Sequence, residues 1–170
     1  MDIIRESRST VVTNPASNSK LGNGFAPAAD FLEAGVNLCL GTDGTASNNT
    51  LNLFREMGLL SMIHKGIHEN PTVLSAQEVL KSVTVNAAKA LGQEGKLGII
   101  AEGAAADLVF VDLMRPNMYP HNDIVSSLVY SANGSEVSDV MIDGRFVMRN
   151  RSLLTIDLEK LYCETKDRIL

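Results

Sequence analysis

Clusters of positive charge are missing from this sequence. Its 15 Lys and Arg are scattered among 20 Asp and Glu, giving a net charge of -5. No basic stretch could neutralise a row of phosphates, which argues against a nucleic-acid or anionic-membrane partner. Also missing is any apolar run near the ~20 residues needed to span a bilayer. The opening MDIIRESRSTVV lacks the charged-then-apolar layout of a secretion signal. Cysteine is scarce: Cys39 and Cys163 have no metal-binding spacing, and Cys39 lies in an apolar run, as a buried free thiol does. These absences predict a soluble, cytoplasmic protein. Histidine is scarce too. His64 and His68 have the i, i+4 spacing of a helical metal pair, but Gly66 between them and Pro71 beyond predict fraying, and His121 follows Pro120 in a loop. Three such histidines cannot assemble a three- or four-ligand catalytic metal site in this chain alone. Gly22, Gly24 and Gly41 lack the spacing of a dinucleotide fingerprint, and no nucleophile elbow is present.

What remains is the composition of a globular protein, 45% hydrophobic and 21% charged over 170 residues, enough to bury a core. The first part reads as repeated strand-then-helix units. STVVTN, residues 9–14, is a β-branched run, and PAADFLEAG follows with Pro27 suited to a first helical turn and Gly35 to a helix end. VNLCL is an uninterrupted apolar strand of the kind that parallel sheets bury on both faces. A helix is predicted from about Thr50 to Lys65, capped by Asn48 or Asn49 and ended by Gly66. Ser75 and Glu78 form a capping-box pattern before Leu80, Val83, Ala87 and Ala90, and Gly92 stops that helix.

From Gly95 the pattern changes. KLGIIAEG, ADLVFVDL, SSLVYSA, VSDVMIDG and RFVMRN are strand-like runs between turns, and Asp143-Gly144 is a tight-hairpin signal. They predict a β-sandwich or barrel module, followed by an amphipathic helix from Asp157 to about Arg168 bearing Leu158, Leu161 and Tyr162. The domain break falls between Gly92 and Gly98, giving units 1–94 and 95–170. Two parallel strands alone leave faces and edges uncovered, so the chain is expected to be part of a larger layer.

Asp43 ends the apolar run VNLCLGTDGTASNN, residues 36–49. In parallel α/β folds, reactive groups gather at the carboxyl edge of the sheet, which is where Asp43 falls. Read alone, Asp43-Gly44 is a turn dipeptide. The loop TNPASNSKLGNG, residues 13–24, would face it across one pocket, although its Asn and Ser side chains could equally satisfy their own backbone.

The stretch NPASNSKLGNGFAPAADFLEAGVNLCLGTDGTASNNTLNLFREM resembles the last strand-helix units of the amidohydrolase superfamily. It is most similar to the branch of 5-methylthioadenosine/S-adenosylhomocysteine deaminases and chlorohydrolases. The similarity continues through TVNAAKALG, KLGIIAEGAAADLVFVDL and HNDIVSSLVYSANGSEVSDVMIDGRFVM. The resemblance implies an α/β fold, namely the C-terminal units of a (β/α)8 metal-dependent hydrolase barrel joined to the C-terminal part of a β-sandwich. It implies that Asp43 is both a catalytic residue and a ligand to a divalent metal, zinc or alternatively iron. Asp43 would take a proton from the attacking water and pass it to the leaving amine. Asn18, Ser47 and Asn48 are the implied contacts to a small purine-like substrate, or side chains supporting the metal site. The family's metal-binding histidines have no counterpart here, so the N-terminal remainder of the barrel is an implied partner. The expected reaction is deamination of an adenine-type nucleoside with release of ammonia. Alternatives are an inert domain that self-associates through its sheet edges, or a hydrolase of guanine-, cytosine- or triazine-like rings.

Overall fold

In the computed structural model, which describes residues 1–166 and 168, two short parallel strands carry the first unit. Strand β1 (Thr10–Thr13) pairs with β2 (Asn37–Leu40) in the register Thr10 to Asn37 through Thr13 to Leu40. Helix α1 (Asp2–Glu6) precedes them, and α2 (Pro15–Leu21) and α3 (Ala28–Glu33) form the crossover. Alternation along each strand turns Val11, Leu38 and Leu40 to one face, where they pack with Ala28, Met57, Leu60, Leu74, Val79 and Val129. Leu38 is wholly enclosed, a burial that contributes about 2 kcal/mol. On the opposite face Val12 is 54% exposed. The far edge of β2 meets Asn86, whose Nδ2 donates to the Leu38 carbonyl while Asn37 Nδ2 donates to the Asn86 carbonyl.

After β2 the chain makes a short helix, α4 (Thr45–Asn48), and then the long α5 (Leu53–Ile67). The cap of α5 is Asn52, whose Oδ1 accepts from the amides of Phe54 and Arg55, and not Asn48 or Asn49. Those two asparagines are used by α4, which Asn49 ends in a left-handed conformation. Gly66 does not end α5 either. The helix continues through Ile67 to a cap at His68, so the fraying expected around Gly66 does not occur.

The capping box is present. The Glu78 amide donates to Ser75 Oγ and the Ser75 amide donates to Glu78 Oε2, opening α6 (Ala76–Val83). The single helix expected from Ser75 to Gly92 is instead α6 and α7 (Val85–Ala90), broken at Thr84 (φ -121°, ψ -98°). Close approach explains the break's surroundings: a Cβ on Gly98 would lie 2.6 Å from the Thr84 carbonyl.

The later part is a four-stranded antiparallel sheet in the order β3 (Leu108–Val111), β4 (Val137–Ile142), β5 (Arg145–Arg149), β6 (Ser152–Leu153). Asp143 (φ 48°) and Gly144 (φ 74°) make the expected tight turn, whose geometry requires positive φ at both positions. Two runs expected to be strands are not. KLGIIAEG forms turns and leaves Ile100 92% exposed. SSLVYSA belongs to helix α8 (Ile124–Tyr130), capped by Asp123, whose Oδ1 accepts from the Val125 amide. Helix α8 does not sit on the antiparallel sheet. It packs on α5 and α6, puts Val129 into the first unit's core, and crosses so close to α5 that a Cβ on Gly58 would lie 3.2 Å from the Val129 carbonyl. Ser61 Oγ donates to the Leu74 carbonyl and meets Tyr130 Oη at 2.7 Å, which fixes that crossing. Helix α9 (Leu158–Lys166) closes the described chain, with the Lys160 amide bonded to Asp157 Oδ1. Its Leu158, Leu161 and Tyr162 are exposed. Among the described residues no helix is long and apolar enough to cross a membrane.

Candidate active site

The carboxyl ends of β1 and β2 lie side by side, so the segments that follow them emerge together. After β1, the stretch expected to be a loop is mostly helix α2. Pro15 starts it, where its missing N–H costs nothing, and Gly22 (φ 69°) ends it. After β2 comes Gly41, whose amide donates to the Thr13 carbonyl. A Cβ there would lie 2.4 Å from Asn14 Oδ1 and 3.1 Å from Val12 Cγ1, so a larger residue would turn the Asn14 side chain aside.

Asp43 follows in a left-handed conformation (φ 60°), exposed at the sheet edge. This backbone region suits Asp better than most residues and aims the carboxyl back at its neighbours. Asp43 Oδ2 accepts from Ser47 Oγ at 2.6 Å and from Ser17 Oγ at 2.7 Å, and Oδ1 accepts from the Gly44 amide at 2.8 Å. Those bonds, the Ser47 hydroxyl first and then Ser17 and the Gly44 amide, hold the carboxyl below the usual Asp range. Asp43 is thus a carboxylate at neutral pH with spare acceptor capacity on Oδ1. It fits the role of one oxygen ligand to a divalent cation. The remaining ligands are not at hand: among the described residues, no three His, Cys, Asp or Glu side chains cluster to hold a metal.

The other sequence-derived candidates divide. Ser47 touches Asp43. Asn48 is buried, and both amide hydrogens are committed, one to the Thr42 carbonyl at 2.6 Å and one to Glu56 Oε1 at 2.9 Å. It lies behind the edge on which Asp43 sits. Asn18 is half-buried and lines a small cavity with Pro15, Phe25, Leu60 and His64. His64 is 4% exposed with Nδ1 unpartnered, and its ring stacks on His68 with centroids 5.9 Å apart. Burial, then the charge of His68, pushes His64 below the usual His value. Cys39 is buried and free, as expected, and Cys163 is exposed.

Two residues escaped the sequence reading. Ser17 was one hydroxyl among several in a polar stretch, and nothing there marked it as the one facing Asp43. Glu56 carried a better signal. It is a charged residue four positions before Leu60 on the apolar face of α5, and it proves wholly buried.

These features define an α/β protein that gathers carboxylate, hydroxyl and amide groups where two parallel strands end. The chain matches the amidohydrolase family over residues 1–147, and it belongs to that family. It is 51% identical over 167 residues to a 5-methylthioadenosine/S-adenosylhomocysteine deaminase of Acetivibrio thermocellus, covering 98% of this chain and 39% of that protein. It is 48% identical over 160 residues to a 5'-deoxyadenosine deaminase of Methanocaldococcus jannaschii, covering 94% of this chain and 37% of that one. Among solved structures, an adenosine deaminase from Xanthomonas campestris with bound zinc superposes with a TM-score of 0.94 at 37% identity, over 98% of this chain and 38% of the other. A zinc-complexed atrazine chlorohydrolase from Arthrobacter aurescens superposes at 0.89 with 28% identity, over 97% and 37%. The chain therefore spans about two-fifths of the length of the relatives it matches.

Proposed function

We propose that the chain supplies the last ligand-bearing strand-helix units of a zinc-dependent deaminase. The substrate is an adenine-type nucleoside such as methylthioadenosine or S-adenosylhomocysteine, and the product is ammonia. One observation carries the reading: Asp43 stands at the carboxyl end of a parallel strand, ionised and braced by two hydroxyls and an amide. The 51% identity to a deaminase across nearly the whole chain supports the choice of reaction.

A divalent cation, when bound, supplies the Lewis acidity that makes water nucleophilic near neutral pH. Asp43 is its ligand from this chain. The same carboxylate takes a proton from the water as its oxygen adds to the ring carbon that bears the amine, and delivers that proton to the exocyclic nitrogen as the bond from the carbon to it breaks and ammonia leaves. Ser17 and Ser47 hold the carboxylate still during that transfer, and Ser47 and Asn18 contact the substrate on their side of the pocket. The rest of the barrel comes from residues outside these 170. Within them the units are 1–94 and 95–170, with α8 lent by the second to the first. The free thiols of Cys39 and Cys163 accord with a cytoplasmic setting.

The test is a chimera in which this chain replaces the matching 39% of the A. thermocellus relative. The chimera is expected to release ammonia from methylthioadenosine faster than from guanine, cytosine or a triazine, and Asp43→Asn should lower kcat at least ~100-fold. No release from a folded, zinc-loaded chimera, or unchanged release after Asp43→Asn, overturns the reading.

A further inference from the structure

We infer that Glu56, which no role in the reaction requires to touch substrate or metal, is the positioning residue that sets Asp43. Its carboxyl group is wholly buried in the first turn of α5 and accepts from two directions. Oε2 takes the Ala16 amide at 2.9 Å, one of the amides at the start of α2 that the Asn14 side chain leaves uncapped. Oε1 takes Asn48 Nδ2 at 2.9 Å. Each contact is one step from Asp43. Ala16 adjoins Ser17, whose hydroxyl donates to Asp43 Oδ2. The Asn48 amide that reaches Glu56 also holds the carbonyl of Thr42, the peptide leading into Asp43. One buried carboxyl therefore fixes both the bracing hydroxyl and the backbone of the residue it braces. A second tie between these segments, from Lys20 Nζ to the Ala46 carbonyl and Asn49 Oδ1, is exposed to solvent.

The polarity of this network admits no substitute. Both groups facing Glu56 are N–H donors, so the residue must accept twice. Glutamine brings one acceptor and one donor, and would set an N–H against an N–H. Turning the Asn48 amide over to accommodate it would aim Asn48 Oδ1 at the Thr42 carbonyl, oxygen against oxygen. A buried mismatch of that kind is relieved by movement of the loop, and the loop is the one that carries Asp43.

The inference rests on the reading of Asp43 as a metal ligand, and the experiment separates the two. In the chimera, zinc affinity is measured by chelator competition, the ligand field by the visible spectrum of the cobalt(II)-substituted protein, and kcat and KM on methylthioadenosine. Glu56→Gln and Ser17→Ala are each expected to weaken zinc binding or kcat by ~10- to 100-fold and to alter the cobalt spectrum, with KM held within about threefold. Ser17→Thr, which restores the hydroxyl, is expected to recover most of the loss. Should Glu56→Gln fail to fold, Asn48→Ala, which removes the side chain that links Glu56 to the Thr42 carbonyl, is read by the same zinc, cobalt and kcat measurements and decides. Folded variants whose zinc affinity, spectrum and kcat stay within twofold of the parent overturn the inference and leave the deaminase reading standing. A parent that binds zinc yet releases no ammonia overturns the deaminase reading, and the affinity and spectral shifts then still carry the inference. A parent that takes up no zinc overturns both.

Discussion

At the scale of single residues, the two carboxylates of the site are each held by donors from both segments, Asp43 by two hydroxyls and an amide and Glu56 by two N–H groups. Gly41 shows how little slack remains. Gly41→Ala would press a methyl against Val12 Cγ1 and displace the end of the half-buried Asn14 side chain, at a cost of about 1 kcal/mol or less. The expected outcome is a lower melting temperature of the chimera together with lower kcat, because Asn14 and Gly41 lie at the roots of the two segments that meet at Asp43. Glu136 shows the same economy away from the site. Burial works to raise its carboxyl, and the bonds from Asn117 and from the Asn133 and Gly134 amides outweigh that, so it titrates below its ordinary 4.5. A depressed carboxyl lends stability that is complete above the unfolded value and is lost as pH falls through the folded one. Glu136→Gln should therefore destabilise the protein at pH 7, and the gap from the parent should shrink as unfolding is measured at pH 4 and then pH 3. Asp43 was legible at this scale because an acid that ends a buried strand is conspicuous. Ser17 was not, since contact across 26 positions leaves no mark on local pattern.

At the scale of elements, the sequence disclosed what local chemistry dictates and hid what packing dictates. Strands β1 and β2, helix α3, the capping box of α6, the Asp143-Gly144 turn and α9 could all be read from caps, turns and runs. Ser75→Ala should cost about 1 kcal/mol, measurable by urea unfolding, because the hydroxyl accepts the Glu78 amide at the start of α6. The misassigned pieces share a cause. SSLVYSA has β-branched residues that suit a strand, yet Asp123 caps it as a helix and the groove between α5 and α6 takes Val129. KLGIIAEG has strand composition but, within the described chain, no strand to pair with. The single helix read across Thr84 is broken by that residue's non-helical backbone, against whose carbonyl the Gly98 backbone packs, a contact between distant segments that local pattern does not record.

At the scale of the whole molecule, two sheets are joined by a helix that crosses from one unit to the other. The boundary proposed near residue 94 lies between the parallel strand β2 and the antiparallel strand β3. It does not mark where a core ends, because Val129 from α8 is buried with Leu60 and Val79. That crossing makes chain order matter during synthesis. At 5–20 residues per second, the ~40 residues between the end of α7 and the end of α8 take roughly 2–8 s to emerge, and for that interval the groove between α5 and α6 stands open. Ribosome-bound chains halted with about 100 of these residues outside the exit tunnel should be cut by protease within α5, and chains with about 140 outside should resist. The Val129 that completes the core would thus also time it, holding the edge that bears Asp43 unfinished until the second sheet is already being made.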